Sequence, residues 1–399
     1  MSKVSRKYLL SRRAALLLGI SAISMFATLG LTKAKALSYL IYPFTRNIDD
    51  KSRKFSVVGS KSLKDRARAK GLIYGGFPQA NERDFEIDRK LQSRFIQECA
   101  SMTIGCYWIT TRPSLDTFDF TSADYFAEFA IKNKMQLRGH PLVWHEALPP
   151  WFERTLNSQN AEQILTNHLQ TIVKRYAGKM YSWDVLNEAI EINDRRSDHL
   201  RQTPWLKFLG ADYIDQIFRI VASIDPQAKL IYNEYGLEYD TPEDEAKRGA
   251  VLNLLRKLKS QGTPIYALGI QAHLSGEQDI SNLSKFSIFL REVASLGFKI
   301  VISEMDVADN HLPLDLIKRD RIIAGIYEDF LSVALAEKAV TSVTTWGLSD
   351  RYTWLADFKP RRDRAAVRPL PFDRDSKPKS ARNALARAFD RAPVRRLDL

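Results

Sequence analysis

The chain has 399 residues, of which 45% are hydrophobic, and its 60 Lys and Arg against 47 Asp and Glu give a formal charge of +13. This ordinary apolar fraction, with only 18 Gly, 16 Pro and two Cys, excludes disordered, collagen-like and disulfide-stapled proteins. A large core can therefore form, and the basic excess makes a nucleic-acid-binding protein the first alternative to consider.

The positive charge is concentrated at the two ends of the chain. Residues 1–36 carry seven bases and no acid, and residues 359–399 carry 13 bases and five acids. Residues 37–358 therefore hold 40 bases against 42 acids, a net charge of −2. This central part shows no interleaving of basic and aromatic residues and no helix-turn-helix pattern, so we expect no nucleic-acid partner.

The amino-terminal segment has the composition of an export signal. A basic stretch ending in Arg12 and Arg13 precedes the uncharged residues 14–31 and a small-residue cleavage site. Paired arginines are typical of twin-arginine export, so we predict a signal peptide over 1–36 and a periplasmic or extracellular protein without stable membrane insertion after cleavage. An uncleaved anchor is the alternative, since the run is only just long enough to span a membrane. Residues 37–58 are predicted to form a linker or an arm packed on the body.

The body repeats one pattern, a short β-rich apolar run followed by a loop and a longer run of helical period. The predicted strands are 71–77, 101–106, 135–144, 181–188, 229–236, 267–274, 299–307 and 342–350. The predicted helices are 86–100, 121–133, 159–177, 208–224, 241–260, 280–296, 317–338 and 377–389. Eight such units predict an α/β fold, a single-domain (β/α)8 TIM barrel over 59–390. The alternative, an open doubly wound sheet, lacks its glycine-rich turn after the first strand.

Two features outside this pattern have simple interpretations. Cys99 and Cys106 have no metal-ligand spacing, so we predict no metal, and two buried thiols are favoured over a disulfide formed after export. The basic carboxyl-terminal residues, including a tail at 391–399, are predicted to form a solvated flank, with contact to an anionic cell surface as the alternative. The arginines that define this flank are Arg361, Arg362, Arg391, Arg395 and Arg396.

Catalytic side chains of a (β/α)8 barrel lie at the carboxyl ends of its strands. Here those ends carry His140, Trp144, His145, Asn187, Glu188, Asn233, Glu234, Gln271, His273, Glu304, Asp306, Trp346 and Asp350. Acids and amides hydrogen-bond sugar hydroxyls, and indoles stack on the apolar faces of sugar rings. Since the sequence has no phosphate loop, zinc motif or nucleophile elbow, it indicates carbohydrate chemistry without a cofactor.

Glu188 and Glu304 are the predicted catalytic pair, because glycoside hydrolysis needs two carboxyl groups facing each other. A separation of about 5 to 5.5 Å gives retention of configuration, and about 6.5 to 9.5 Å gives inversion. In such a pair the acid must stay protonated, and the negative charge of the other carboxylate raises its pKa. A salt-bridged rim residue is the alternative for either glutamate.

Six motifs in chain order carry a family resemblance. They are RGHPLVWH (138–145), YSWDVLNEA (181–189), IYNEYGLE (231–238), GIQAHL (269–274), ISEMDV (302–307) and WGLSDRYTWL (346–355). From about Ser62 to about Leu385 the chain resembles glycoside hydrolase family 10, the endo-1,4-β-xylanase family. The resemblance implies a retaining hydrolase of β-1,4-linked xylan-type polysaccharide, with Glu188 as acid/base and Glu304 as nucleophile.

The resemblance also implies the residues that bind the substrate. These are His140, Trp144, Asn187, Tyr235, Gln271, His273, Trp346 and Trp354, with Asp306 in a supporting role. Asn187 would hold the sugar 2-hydroxyl and His273 would orient Glu304. For Tyr235 a packed rim position is the alternative, and for Trp354 core packing. A cis peptide bond between His140 and Pro141 is also implied.

One segment departs from the family. Where the family usually has T-P-E-N-E-M-K-W, residues 101–108 read SMTIGCYW. Thr103, Ile104 and Tyr107 take the places of the Glu, Asn and Lys that hydrogen-bond the second sugar on the non-reducing side. We therefore expect an active, monomeric enzyme with altered glycone recognition. The alternatives are a retaining barrel glycosidase acting on glucan or mannan and a sugar-binding protein of low turnover.

Overall fold

The computed structural model describes residues 49–396, and nine parallel β-strands form its centre. The strands are β1 (Ile73–Gly76), β2 (Ser101–Gly105), β3 (Gln136–His140), β4 (Met180–Asn187), β5 (Lys229–Glu234), β6 (Ala267–Ile270), β7 (His273–Ser275), β8 (Lys299–Ala308) and β9 (Val340–Thr345). Each strand from β1 to β5 pairs with the next, and β9 pairs with both β1 and β8. The predicted signal peptide over 1–36 lies outside the described residues.

The barrel closes through β8, which pairs with both β6 and β7. β6 and β7 are two segments of one strand position, interrupted at Gln271 and Ala272, where Ala272 adopts a left-handed φ of 59°. Counting them as one gives eight strand positions, so the predicted (β/α)8 barrel is confirmed. The interruption turns Gln271 and His273 toward the mouth of the barrel, where the site described below lies.

Helices surround the strands and bury one face each against them. They are α1 (Leu63–Arg68), α2 (Glu82–Ile87), α3 (Arg89–Glu98), α4 (Trp108–Thr111), α5 (Thr121–Lys132), α6 (Phe152–Thr155), α7 (Ala161–Tyr176), α8 (Pro204–Leu209), α9 (Tyr213–Ile224), α10 (Pro242–Ser260), α11 (Ser284–Ser295), α12 (Leu316–Ala334), α13 (Leu355–Phe358) and α14 (Ser380–Arg391). All eight predicted helices are present. The short ones were missed because four to six residues are too few to show a helical period. Within residues 49–396, no helix is both long and apolar enough to cross a membrane.

Alternation along β3 decides which side chains reach the barrel interior. Arg138 and His140 both bond to Asp184 on the neighbouring strand β4, so they face inward. Gly139 between them faces the helices, and a Cβ at this position would lie 2.2 Å from the Trp183 ring. Trp183 is fully buried, and its indole donates to the Asp225 carboxylate at 3.0 Å. The large indole between sheet and helices therefore requires the glycine beside it.

The peptide bond between His140 and Pro141 is trans, as no cis peptide bond occurs among the described residues. The cis bond implied by the family resemblance is therefore wrong for this chain. Beyond the end of β3 the chain continues alongside β4. There the Leu142 amide donates to the carbonyl of Asp184 at 2.9 Å, and the Val143 amide donates to that of Val185 at 3.0 Å.

Two arginines of the predicted solvated flank are bound to the barrel instead. Arg361 is 6% exposed and donates to the Leu312 carbonyl at 2.7 Å. Arg395 donates at 2.6 Å to the carbonyls of Leu335 and Val340, which follow α12. Leu335 caps the carboxyl end of α12, and carbonyls at helix ends lack intrahelical partners, so the Arg395 guanidinium supplies a missing donor there. The prediction of a solvated flank is wrong for Arg361 and Arg395.

Residues 49–58, the described part of the predicted arm, pack on α12 and α14. The Arg53 guanidinium pairs with the Glu328 carboxylate at 2.7 Å, and the Asn383 amide donates to the Phe55 carbonyl at 2.9 Å. Cys99 and Cys106 are free and buried, as predicted, and burial raises the pKa of the Cys106 thiol to about 12.

Candidate active site

Glu188 directly follows β4 in a left-handed backbone conformation, with a φ of 57°. Its amide donates to the Asn233 carbonyl at 2.9 Å, and its own carbonyl accepts from Arg201 Nε at 2.8 Å. A non-glycine residue in this region costs about 1 to 3 kcal/mol, and such strain is common where a side chain must be aimed at a site. The two hydrogen bonds hold this turn and direct the Glu188 side chain into the mouth of the barrel.

The Glu188 carboxyl group, in a residue only 7% exposed, accepts from neutral donors. Trp144 Nε1 donates to Oε2 at 2.8 Å, and Gln271 Nε2 donates to Oε1 at 3.0 Å. Asn187 Nδ2 also approaches Oε1, at 3.3 Å. Three groups from three different parts of the barrel mouth thus position this carboxyl group.

Glu304 lies on β8 in a more positive environment. Asn233 Nδ2 donates to its Oε1 at 2.6 Å, and His273 Nε2 lies 3.3 Å from its Oε2. Burial acts to raise the pKa of Glu304, but the positive charges of His140, His273 and Arg138 outweigh it and hold the pKa below its usual value. Glu304 is therefore held as an anion, the state that a nucleophile requires.

Two amide side chains connect the two carboxyl groups. Asn233 Nδ2 donates both to Glu304 Oε1 and, at 2.8 Å, to Asn187 Oδ1, while Asn187 Nδ2 faces Glu188. Gly269 makes room for this arrangement, because a Cβ there would lie 2.3 Å from Asn233 Oδ1. A bridge of only two amides between the carboxyl groups places them at one reaction centre.

His273 lies between two carboxylates. Its Nδ1 is 2.9 Å from Asp306 Oδ1, and its Nε2 faces Glu304. Burial alone would lower the pKa of His273, but Asp306 and Glu304 together raise it to about 10. The imidazolium form, which donates from both nitrogens, is therefore the neutral-pH state. Asp306 also accepts from Trp354 Nε1 at 2.7 Å, so it holds both rings in place.

Replacing His273 with Gln is expected to move the acidic limb of the kcat/KM profile to higher pH. Removing a cation beside a carboxylate favours the protonated form, so the pKa of Glu304 rises and more of the nucleophile is neutral at low pH. A pH profile on an aryl glycoside measures this shift. An acidic limb that stays in place would contradict the assignment of His273 as the group that keeps Glu304 ionised.

The same residue gives a stability test. The pKa of His273 is raised from an ordinary value of about 6.5 to about 10, so its contribution to stability is complete below about pH 6.5 and is lost as the pH rises to about 10. Urea unfolding of the wild type should therefore show stability falling across this interval more steeply than in the His273→Gln variant.

His140 and Arg138 both bond to Asp184 beneath the site. His140 Nδ1 lies 2.6 Å from Asp184 Oδ2, and the Arg138 guanidinium contacts both oxygens of the same carboxylate. Arg138 Nη1 also donates to the Ser303 carbonyl at 2.7 Å. Among the described residues, His140, Asp184 and Glu304 are the group whose ligand atoms come close enough, within 4.8 Å, to hold a metal. Arg138 already supplies the positive charge at that position.

Aromatic side chains form a wall on the other side of Glu304. Trp346 is 7% exposed and stacks on Phe77, with ring centroids 4.4 Å apart. It also packs edge-to-face against His140, with ring centroids 5.0 Å apart. Trp354 is half-buried. Gln79 holds the backbone of both tryptophans, donating to the Trp346 carbonyl and accepting from the Trp354 amide at 2.7 Å. Since its ring also bonds to Asp306, Trp354 lies at the site rather than only in the core.

Tyr235 is joined to the site through Arg201, whose Nη2 donates to the tyrosine hydroxyl at 2.9 Å. Lys247 covers one ring face, with Nζ 3.4 Å from the centroid, and pairs with Glu234 at 2.8 Å. The half-buried tyrosine therefore has a fixed ring, and stacking of a sugar on its other face stays a prediction.

The structure brings the other predicted site residues together around one centre. Sequence reasoning missed several supporting residues, namely Gln79, Arg138, Asp184, Arg201 and Lys247, and noted Asn233 only as a strand end. Asp184 could have been found, because it precedes Glu188 by four residues in the same motif. With one carboxylate held ionised, one carboxyl bonded to neutral donors, and amides and indoles around them, the site is suited to acid-assisted displacement at an acetal carbon.

Comparison with known protein sequences gives matches across the barrel. The profile of the family described as "Glycosyl hydrolase family 10" matches residues 62–388. A beta-1,4-xylanase of Dictyoglomus thermophilum is 35% identical over 285 residues, which cover 69% of this chain and 77% of that protein. Endo-1,4-beta-xylanase A of Caldicellulosiruptor saccharolyticus is 37% identical over 286 residues, which cover 67% of this chain and 80% of that protein.

Solved structures match over the same region. Native xylanase 10B from Thermotoga maritima superimposes with a TM-score of 0.74 at 30% identity, covering 82% of this chain and 98% of that one. Xylanase 10B from Thermotoga petrophila RKU-1, solved in complex with xylobiose, also gives 0.74, at 29% identity, covering 84% of this chain and 98% of that one. The likeness thus covers nearly the whole length of those structures.

Proposed function

This chain belongs to glycosyl hydrolase family 10 and is an endo-1,4-β-xylanase-like glycoside hydrolase, and we propose that it cleaves xylan-type polysaccharide at this site by double displacement. The observation that carries the proposal is the pairing of an ionised Glu304 with a Glu188 bonded to neutral donors, connected through Asn187 and Asn233. The xylobiose complex of the Thermotoga petrophila relative supports a polysaccharide substrate.

The reaction begins when a Glu304 oxygen attacks the anomeric carbon. The bond from that carbon to the leaving sugar oxygen breaks, and Glu188 donates its proton to that oxygen. The negative charge of Glu304 is then consumed in the glycosyl ester, so Glu188 can remain ionised. In the second half, a water oxygen attacks the anomeric carbon, its proton passes to Glu188, and the ester bond to Glu304 breaks. Two inversions give net retention.

Proton NMR of the first products formed from xylan tests this mechanism. If the new reducing end first appears as the β-anomer, the result supports double displacement. If the α-anomer appears first, the result contradicts it. Reducing-sugar release from xylan, glucan and mannan in parallel tests the substrate. Faster hydrolysis of glucan or mannan than of xylan, or sugar binding without release of product, would favour one of the alternative functions instead.

We further propose that the second glycone position does not use the polar recognition typical of the family. Thr103 Oγ1 faces the barrel interior, 3.3 Å from Arg138 Nη1, and Ile104 is fully buried in the hydrophobic core. Tyr107 is half-buried, with its ring centroid 5.7 Å from His140 and 6.1 Å from Trp144. A sugar at this position would meet a phenol ring rather than an ammonium and an amide.

The kcat/KM for an aryl xylobioside is therefore expected to be only slightly higher than that for an aryl xyloside. Each lost hydrogen bond removes about 0.5 to 1.5 kcal/mol, so three lost partners should lower the ratio of the two kcat/KM values at least about tenfold relative to a family member with the polar residues. Tyr107→Lys should raise this ratio, and Tyr107→Phe, which keeps the ring, should not. A ratio equal to that of the polar relative would contradict the proposal.

Export by the twin-arginine route is proposed from the paired arginines alone. Fractionation of cells that produce the full chain, beside a variant carrying Arg12→Lys and Arg13→Lys, tests it. We expect the activity to be exported in the wild type and to remain in the cytoplasm in the variant.

A further inference from the structure

A concave groove with a volume of about 400 Å³ lies outside the catalytic centre. One wall is formed by residues 87–90, where α2 ends and α3 begins, and the other by residues 351–352 and 374–376, from the long loop after β9. The Tyr352 hydroxyl joins the walls by donating to Asp88 Oδ2 at 3.0 Å. We call this the basic groove.

The basic groove carries more positive than negative charge. Four cations and two carboxylates line it, and one of the cations, Arg351, is shared between Asp88 at 3.8 Å and Asp375 at 3.4 Å. In the described part of the chain, the three other cations form no ion pair; they are Arg89, Lys90 and Arg374. All three are exposed, and a concave surface with an excess of positive charge attracts an anion.

The basic groove opens on the face of the barrel that carries the catalytic centre. Both of its walls belong to the segments that follow the carboxyl ends of β1 and β9 in the chain. Tyr352 precedes Trp354 by two residues, and Gln79, in the loop after β1, bonds to both Trp346 and Trp354. The aromatic wall of the site and the inner end of the basic groove are thus parts of the same two loops.

The charge pattern favours a single negative charge on a sugar. The amino end of α3 is already capped, because Asp88 accepts from the Leu91 amide at 3.0 Å, so no free cradle of backbone amides awaits a phosphate. Asp88 and Asp375 would also repel a dianion. A carboxylate, by contrast, matches the planar fork of a guanidinium and can be bound by Arg89 or Arg374 in two parallel hydrogen bonds.

We propose that the basic groove binds the carboxylate of a uronic acid branch on the polysaccharide held in the catalytic site, and so favours acidic xylan over neutral xylan. The inference rests on the proposed function, since it assumes a β-1,4-linked chain lying across the barrel mouth. The groove then adds affinity without taking part in the chemistry.

The test compares one double variant on two substrates. Arg89→Gln with Arg374→Gln should lower kcat/KM on uronic-acid-branched xylan by about three- to tenfold and leave kcat/KM on unbranched neutral xylan unchanged. Lys132→Gln with Lys174→Gln, which removes two exposed charges from α5 and α7, is the matched control and should change neither value. Added salt should reduce the wild type's preference for the acidic substrate and have little effect on the groove variant.

The outcomes separate this inference from the proposed function. Failure of the wild type to hydrolyse neutral xylan would overturn the function itself. Normal hydrolysis of neutral xylan, with the same preference for acidic xylan in wild type and groove variant, would overturn only the inference. Competition by polygalacturonate as strong as that by branched xylan would show a general polyanion surface and would also overturn it.

Discussion

The Glu304→Gln variant is expected to lose xylan hydrolysis by at least about 10⁴-fold in kcat while keeping its fold. The carboxylate oxygen that attacks the anomeric carbon is replaced by a far weaker amide nucleophile, so no glycosyl ester forms. The amide keeps nearly the same shape, and its oxygen can still accept from Asn233 Nδ2, which lies 2.6 Å from Oε1 in the wild type, while the hydrogen bond from His273 to Oε2 is lost. The loss therefore concerns chemistry and leaves the packing unchanged.

The test measures kcat on soluble xylan. Circular dichroism and thermal unfolding of the same preparation show whether the variant is folded. Glu277→Gln is the matched control, because it removes an exposed carboxylate on the same face of the barrel. The control should retain full activity. A Glu304→Gln protein that is folded and fully active would overturn the assignment of the nucleophile.

A smaller substitution distinguishes a nucleophile from a merely structural acid. In Glu304→Gly, azide can occupy the vacated space and attack the anomeric carbon directly from the side of the lost carboxylate. Only one inversion then occurs, so an activated β-glycoside should give the α-glycosyl azide. A β-glycosyl azide would place the nucleophile elsewhere.

The strand pattern predicted the location of both glutamates well. Glu188 follows β4 directly, and Glu304 lies on β8 among residues that alternate toward the mouth of the barrel. Such positions follow from local apolar periodicity, which needs no knowledge of distant contacts. The fold and the two central residues were therefore accessible from the sequence.

The supporting contacts depend on barrel closure and could not be predicted in the same way. Arg138 and Asp184 are 46 residues apart, and Asn233 and Glu304 are 71 apart. Which inward side chain faces which carboxylate is set by register between neighbouring strands, and a change in register would redirect these side chains. Arg361 shows the same limit, because its partner carbonyl at Leu312 lies 49 residues away.

The Glu188→Gln variant is expected to lose about 10² to 10⁴-fold in kcat on xylan. The sugar oxygen is a poor leaving group, so bond cleavage needs the proton that the amide cannot give. An aryl glycoside with an acidic phenol leaves without that proton, and its first step should remain fast. Trp144 and Gln271 donate to different oxygens of Glu188, so the amide oxygen of the variant keeps one of these two hydrogen bonds while the side chain keeps nearly the same shape.

The second step then becomes limiting in this variant, and this separates the two glutamates. Without a base to activate water, the glycosyl ester on Glu304 accumulates, so aryl substrates should show a burst and a lowered KM. Azide needs no base and attacks this ester, which should restore turnover and yield the β-glycosyl azide. Glu146→Gln, a partly exposed carboxylate near Trp144, should show neither the burst nor the azide effect. If Glu188→Gln loses activity equally on xylan and aryl glycosides and azide restores none, the residue supports the fold and is not the acid/base.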